Sequence, residues 1–487
     1  MIDNNTHVKI EEQFNKEQSS IALKIWNVLI ITSLVTSLIT LCNNRMYQTV
    51  SSLPVLPVSY FICLILSRKL FRKQFGLALI IIEIVMVCRF IAIPLFYAYS
   101  SSYNGVLIYG ANFNKAVWLM AYEEVSVGIM MFFIASIRHY DIPTKLREMN
   151  RQPLIRPITI FLVVFWVIIV ITNEKLRGQL LNFSLLTREE MGLKDGTSLL
   201  EYLADIPGVY YVFFKIGLIV VFTIVVKTII QSRLYTPVKI ITLIAVAVGF
   251  ISSMWTSGFS VSRWGMLVAT IISVYVFMYA YPQHKKKIIM TGICAVLFVI
   301  LFGSILKLIS FGETSVTLDD ATDKYFSIQY FDEYFEGIGP VANGIETAEI
   351  YGAEIGMEGI LIDTCYNFPY AMKILGLSGS KVATDYFHMA TGHYDLIMPT
   401  ITQGYMQFGW ILSPIYSVIC TIMALWMDRK LVASRILTKK LFYIVLVFWF
   451  SLFMAVSTNV IEANIWYAVI AIWILSLEEK FKFTIQR

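Results

Sequence analysis

Long apolar runs recur along almost the whole chain and are separated by short polar turns. A helix that crosses the hydrocarbon layer of a membrane needs about 20 mostly apolar residues. Run length and the charges between runs therefore predict about twelve membrane-spanning helices. The predicted spans are residues 25–42, 51–67, 77–99, 116–137, 158–172, 209–230, 238–256, 264–281, 288–309, 410–427, 441–457 and 463–477.

One long polar break interrupts this pattern between residues 310 and 409, and it holds fourteen acidic residues against three lysines. Structureless loops of this length are uncommon in compact proteins, so we expect short helices within the break. The predicted fold class is an all-α integral membrane protein with a large extracytoplasmic loop. Its predicted parts are a cytoplasmic segment (1–24), nine spans (25–309), the large loop (310–409), three spans (410–477) and a cytoplasmic tail (478–487).

The composition agrees with a membrane protein, because 57% of the 487 residues are hydrophobic and only 15% are charged. Soluble domains carry roughly 25% charged residues. The six cysteines show no CxxC spacing, so neither a disulfide framework nor a zinc site is expected. The polar first 24 residues predict no cleavable signal peptide, and the first span is expected to act as the insertion signal.

Lysine and arginine are concentrated in alternate turns, such as residues 68–73, 138–156 and 429–440. Because cytoplasmic loops carry the excess of basic residues, both termini are predicted to be cytoplasmic. The same distribution accounts for the formal net charge of +6. Since no single basic stripe forms, nucleic acid is not an expected partner.

Two of the five histidines, His388 and His393, fall in the large outer loop. A histidine that titrates near neutral pH can accept a proton from a hydroxyl nucleophile. The alternative interpretation is that each of them makes a structural hydrogen bond within the loop.

Three arginines are predicted to lie in outward-facing loops and are candidates for binding phosphate. Arg263 precedes the eighth span, whereas Arg177 and Arg188 share the loop 173–208. A guanidinium group stays charged and offers forked donors that suit a pyrophosphate. Snorkelling at the interface and ordinary solvation are the alternatives for these side chains.

Several charged residues fall inside predicted spans, where a charge is costly enough to suggest a function. They are Glu83, Arg89, Glu123, Glu124 and Lys215. Glu83 and Arg89 are six residues apart and point to different faces of one helix, so each needs a partner elsewhere. Arg89 is predicted either to line a cavity for a lipid phosphate or to form a structural ion pair.

Two motifs resemble those of the O-antigen polymerase and ligase superfamily of bacterial inner membranes. Arg263 to Leu267 resembles the family's Arg-x3-Leu motif in a short outer loop. His393 to Gly404 resembles its His-x10-Gly motif in the large outer loop. The resemblance covers roughly residues 240–480, with topology alone relating the remainder.

The resemblance implies a metal-independent glycosyltransferase, without a cofactor, that acts on undecaprenyl-pyrophosphate-linked oligosaccharide at the outer leaflet of the inner membrane. It assigns Arg263 to the donor pyrophosphate and His393 to the acceptor hydroxyl. Arg89, Arg177, Arg188 and His388 remain substrate-binding candidates for the pyrophosphate or the glycan. Membrane lipid, a chain-length regulator and a flippase are among the partners implied.

The acceptor separates two activities within this superfamily. A Wzy-type polymerase transfers the glycan to another lipid-linked repeat unit, whereas a ligase transfers it to lipid A core. We favour the polymerase, because an acidic, aromatic-rich loop suits one particular glycan. A flippase for lipid-linked oligosaccharides is the alternative from a different class, since transporters also carry charges within their spans.

Overall fold

A computed structural model of the chain describes twelve stretches of it, and most of these residues are helical. The described residues are 4–46, 48–137, 157–180, 208–254, 256–257, 260–261, 263–310, 328–365, 374–376, 382–393, 396–434 and 436–480. A two-stranded antiparallel hairpin pairs Thr256 with Val261 and Ser257 with Ser260.

The helices and strands are numbered here in chain order. They are α1 (Asn4–Cys42), α2 (Val55–Lys73), α3 (Leu77–Val87), a π-helical turn (Cys88–Ala92), α4 (Ile93–Tyr99), α5 (Phe113–Ser136), α6 (Pro157–Thr172), α7 (Glu174–Leu180), α8 (Gly208–Gln231), α9 (Thr236–Met254), β1 (Thr256–Ser257), β2 (Ser260–Val261), α10 (Arg263–Ala280), a 3-10 turn (Pro282–His284), α11 (Lys285–Ser310), α12 (Ile328–Tyr334), α13 (Ile338–Cys365), α14 (Ala383–Thr391), α15 (Thr400–Leu412), α16 (Ile415–Ala433), α17 (Leu437–Ser451) and α18 (Thr458–Lys480).

The described helices are those of a membrane-embedded protein. Six of them are long and apolar enough to cross a membrane, and a seventh span results if the bent pair α15 and α16 is counted as one. Each of the predicted spans overlaps a described helix. The count of about twelve is nevertheless not confirmed, because several of these helices are too short or too polar to qualify by length and hydropathy.

The chain divides into two compact units, and each combines segments that are distant in sequence. Unit 1 comprises Met1–Leu146, Phe326–Ala433 and Leu446–Ile465. Unit 2 comprises Arg147–Tyr325, Ser434–Val445 and Trp466–Arg487.

In unit 1 the most extensive helix packing is between α2 and α5. A Cβ atom on Gly128 of α5 would lie 3.0 Å from the Cα of Cys63 of α2. Gly128 therefore lets the two backbones approach, as small residues do between membrane helices. On the outer surface of α1, Val28, Ile31 and Leu38 are more than half exposed, as expected for side chains in contact with lipid.

The large loop forms more regular structure than the sequence predicted. Short helices are present, since α12 has 7 residues and α14 has 9. Helix α13 is 28 residues long and packs against α15 and α5. Its buried residues Ile338, Val341, Ala342 and Ile345 repeat at helical spacing and form one apolar stripe.

In unit 2, α6 packs on α8, and α9 lies between α8 and α10. A Cβ atom on Gly217 of α8 would lie 2.1 Å from the indole of Trp166 on α6, so this contact requires a glycine. A cluster of Ile169, Leu176 and Phe214 joins α6, α7 and α8 at one end of the unit.

Candidate functional site

The segment from His393 to Gly404 belongs to unit 1 and follows the end of α14. Helix α14 ends at Thr391 and is capped by Gly392, whose φ of 71° is a conformation that favours glycine. The N–H of Gly392 donates to the carbonyl of His388 at 2.9 Å. This left-handed turn directs the chain away from the helix and leaves His393 exposed. Among the described residues, no hydrogen bond to the imidazole of His393 is present. That imidazole is therefore accessible to a ligand.

His388 lies on α14 itself and has a structural contact. Its Nε2 donates to the carbonyl of Leu396 at 2.8 Å, which fastens the segment after the helix back onto α14. This is the loop hydrogen bond that the sequence offered as the alternative interpretation. A role for His388 in binding substrate stays a prediction.

Gly404 occupies a position in α15 where no side chain fits. A Cβ atom there would lie 2.0 Å from the carbonyl oxygen of Ser413. The close approach arises because α15 and α16 meet at a bend of 107°, within which Gly409 has a φ of 71°. Broken helices at membrane depth are tolerated where they are buried in protein or line a cavity. The hydroxyl of Tyr122 on α5 satisfies one freed carbonyl by donating to Ile411 at 2.7 Å.

A cluster of polar side chains lies beside this broken helix and is centred on Asp363 of α13. Its carboxylate accepts hydrogen bonds from the N–H of Ala383 at 3.0 Å, from Asn459 at 3.5 Å and from Gln407, which in turn accepts one from Tyr416. Burial raises the pKa of Asp363, and the hydrogen bonds from Ala383 and Asn459 oppose that rise only in part. Because the carboxylate is buried and held by several donors, it fixes α13, α14 and α15 relative to one another.

Arg89 is fully buried in the π-helical turn between α3 and α4. Its Nη1 lies 2.8 Å from a carboxylate oxygen of Glu123 on α5, and Ser417 of α16 donates to the other oxygen. The described residues offer no hydrogen-bond partner to Nε or Nη2 of Arg89. The ion pair is the structural alternative predicted from the sequence, and π-helical turns occur often at functional sites.

Two further carboxylates inside the spans are buried in unit 1, and each is held by a hydroxyl group of α2. Tyr60 donates to Glu83 at 2.7 Å, and Ser59 donates to Glu124 at 3.1 Å. Together with the Arg89 pair they form a buried polar network that joins α2, α3, α5 and α16.

Helix α12 and the turn before α13 each bring one acid of the large loop into the interior of unit 1. Asp332 caps α13, since it accepts from the N–H groups of Ile338 and Gly339, each at 2.9 Å, and from the hydroxyl of Tyr97 at 3.1 Å. Burial raises the pKa of Asp332 to about 7 despite these donors.

Glu336 is also buried and has a φ of 51°, an uncommon conformation for a residue other than glycine. Burial raises the pKa of Glu336 well above its usual value, although nearby Arg89 opposes this rise. Backbone strain of this kind tends to occur at functional sites.

The arginines predicted to bind phosphate belong to unit 2. Arg263 begins α10 directly after the hairpin, and its side chain lies outside the described part of the chain. Arg177 lies on α7, half exposed and 3.6 Å from Glu174. Arg188 falls in residues 181–207, which the structure does not describe. The phosphate-binding roles of all three stay predictions.

Sequence reasoning did not single out Asp363, Gln407 or Glu336. Asp363 and Glu336 are two of the fourteen acids in the large loop, and nothing in their spacing distinguished them from the others. The helical repeat of apolar residues after Gly337 was the available signal, since it predicts that this segment is packed rather than solvated.

Within the described ranges, no group of three or more His, Cys, Asp or Glu side chains is placed to hold a metal ion. No protein-family model, no curated protein and no solved structure matches this chain.

Proposed function

We propose that this protein is a glycosyltransferase that polymerises lipid-linked oligosaccharide repeat units at the outer leaflet of a bacterial inner membrane. The donor is a glycan on undecaprenyl pyrophosphate, and the acceptor is a hydroxyl group of another lipid-linked repeat unit. The observation that supports this most is the form of the His393 to Gly404 segment. It combines an exposed imidazole with a glycine packed inside a broken membrane helix.

The positions of His393 and Gly404 in the segment each have a structural explanation. Gly392 ends α14 with a left-handed turn, after which His393 is exposed. Gly404 has no side chain, so α15 can pack closely against the backbone carbonyl of Ser413. A proton acceptor must contact the substrate, which suits the exposed His393, whereas the packed Gly404 has a structural role.

In the proposed reaction, His393 takes the proton from the acceptor hydroxyl. The hydroxyl oxygen then forms a bond to the anomeric carbon of the donor sugar while the bond from that carbon to the phosphate oxygen breaks. Arg263 binds the departing pyrophosphate and stabilises the negative charge that develops on it. The carrier lipid leaves as undecaprenyl pyrophosphate, and His393 then releases its proton to water.

A deletion strain complemented with variants tests the proposal through the banding of surface polysaccharide on a gel. We expect His393→Ala and Arg263→Ala to reduce polymer by about 100-fold or more while the protein reaches the membrane at normal abundance. His284→Ala and Arg233→Ala are matched controls, since both side chains are exposed and lie on the predicted cytoplasmic side. Normal polymer in both site variants would contradict the assignment.

The deletion itself separates the proposed activity from its alternatives. Lipid A core capped with a single repeat unit indicates a polymerase. Uncapped core with polymer retained on its lipid carrier indicates a ligase.

A flippase is the second candidate, because Glu83, Glu123 and Glu124 are buried within spans and intramembrane carboxylates are frequent in proton-coupled transporters. Repeat units trapped at the cytoplasmic leaflet of the deletion strain would favour it.

A further inference from the structure

Two tyrosines of the large loop form a half-buried aromatic pair that the proposed function does not yet use. Tyr351 of α13 and Tyr386 of α14, called here the tyrosine pair, have ring centroids 5.4 Å apart and ring planes inclined by 35°. Both pack against an apolar cluster that includes Ile355 and Phe387, yet each side chain stays partly exposed. The core therefore holds the two rings in place while part of their surface is open to a ligand.

The tyrosine pair lies within reach of a glycan bound at His393. Tyr386 is five residues before Thr391, the last residue of α14, so about 8 Å of helix axis separates the two. His393 follows directly after the left-handed turn at Gly392. Met389 lies three residues after Tyr386, on the same side of α14, and is 48% exposed. This side of the helix is therefore open, and a short oligosaccharide is long enough to contact both Tyr386 and His393.

A carboxylate borders the tyrosine pair and offers an acceptor for sugar hydroxyls. Glu354, one turn after Tyr351 on α13, is exposed and accepts a hydrogen bond from the hydroxyl of Tyr386. An ionised carboxylate has about four lone-pair sites, so Glu354 can accept from a ligand as well. Asp385 instead caps α14 by accepting from the N–H of Val382 at 2.9 Å. An aromatic surface beside an open acceptor suits a sugar ring, which has an apolar C–H face and a rim of hydroxyl groups.

The charge of the large loop restricts which sugars suit this surface. The loop carries fourteen acids against three lysines, and the described part of residues 310–409 contains no lysine or arginine. Lys115 of α5 contacts the loop but pairs there with Glu349. A carboxylate or phosphate on the glycan would be repelled by Glu354, since like charges held close together disfavour a complex. A sugar without acidic groups avoids this cost, and its hydroxyls donate to the carboxylate.

We propose that the tyrosine pair and Glu354 bind a sugar of the acceptor repeat unit, next to the sugar whose hydroxyl His393 deprotonates. The bound sugar stacks its C–H face on the ring of Tyr386 and donates one hydroxyl to Glu354. This inference rests on the proposed function and specifies the chemical class of its acceptor, which is a repeat unit without acidic groups.

Binding of the repeat-unit oligosaccharide to the full-length protein in lipid nanodiscs tests this role, measured by saturation-transfer NMR. The first probe is released by mild acid from the lipid carrier that accumulates in the deletion strain. The second probe is the same oligosaccharide after oxidation of its primary hydroxyls to carboxylates. We expect Tyr386→Leu, which keeps an apolar side chain but removes the ring, to weaken binding of the first probe about tenfold. Tyr386→Phe keeps the ring and should bind this probe nearly as well as the wild type does.

The second probe tests the role of charge. It should bind the wild type about tenfold more weakly than the first probe, because its carboxylates approach Glu354. Glu354→Gln keeps an acceptor but removes the charge, so it should reduce this difference. Tyr109→Leu is the matched control, since Tyr109 is fully exposed and lies in the segment before α5. The control should bind both probes as the wild type does.

Three results would overturn the inference. The first is that Tyr386→Leu binds the first probe as the wild type does, and the second is that Tyr386→Phe loses as much affinity as Tyr386→Leu. The third is that the released oligosaccharide itself contains an acidic sugar.

The deletion strain distinguishes this inference from the function on which it rests. If the strain accumulates lipid-linked repeat units but Tyr386→Leu binds the released glycan normally, only the role of the tyrosine pair fails. If the strain forms normal polymer, the proposed function fails, and the inference fails with it.

Discussion

The charged residues inside spans show which features of single residues the sequence predicts. The sequence indicated that Glu83 and Arg89 could not pair with each other and that each needed a partner from another helix. The structure supplies Tyr60 of α2 for Glu83 and Glu123 of α5 for Arg89. The identity of these partners depends on which helices become neighbours, and a pattern within one helix contains no information about that.

The Arg89–Glu123 pair leads to a test by double-mutant cycle. Removing one partner leaves a buried charge unpaired, so Arg89→Met and Glu123→Met should each cost about 3–5 kcal/mol of stability. Replacing both with methionine should cost clearly less than the sum of the single changes, because no isolated charge remains. Thermal unfolding in detergent measures the effect. Additive losses would show that the two side chains are not coupled.

At the scale of elements, most helices follow from the length of apolar runs, whereas α13 does not. Its apolar residues recur at helical spacing, but polar residues interrupt them too often for a membrane span. The break between α15 and α16 could not be predicted from the sequence either. The left-handed conformation of Gly409 is required only because the chain turns back on itself there.

The cap on α13 predicts a pH dependence. The pKa of Asp332 rises from 3.8 to about 7 on folding, so its favourable contribution is complete below pH 3.8 and is lost as pH rises through about 7. The thermal midpoint of the wild type should therefore decrease over this window more than that of Asp332→Asn, which cannot ionise at this position. Parallel curves for the two proteins would contradict the assigned titration.

At the scale of the molecule, the sequence predicts a helical membrane protein and the side on which its loops lie. Neither the division into two units nor their boundaries could be derived from it. Unit 1 draws together residues from three distant segments, such as Glu123 and Ser417, which are 294 positions apart. Hydrophobic runs locate spans along the chain but do not determine which spans pack together.

The predicted orientation can be tested by labelling single cysteines in intact cells with a membrane-impermeant maleimide. In a background with all six native cysteines replaced by serine, since Cys42 and Cys294 are both exposed, Tyr109→Cys should react from outside because Tyr109 is fully exposed in a predicted outer loop. Arg233→Cys should react only after lysis, since basic turns remain in the cytoplasm. The opposite labelling pattern would reverse the topology.

The broken helix also determines the order in which the protein can be assembled during its synthesis. Ile411 and Ser417, on either side of the bend, are held by Tyr122 and Glu123, and about 290 residues must be made between those partners. Arg89 and Glu123 are only 34 residues apart, so they can pair early, before Ser417 has been synthesised. The amino-terminal spans can therefore pack before the bend is made. The segment containing His393 and Gly404 reaches its final position late, when most of the chain has left the ribosome.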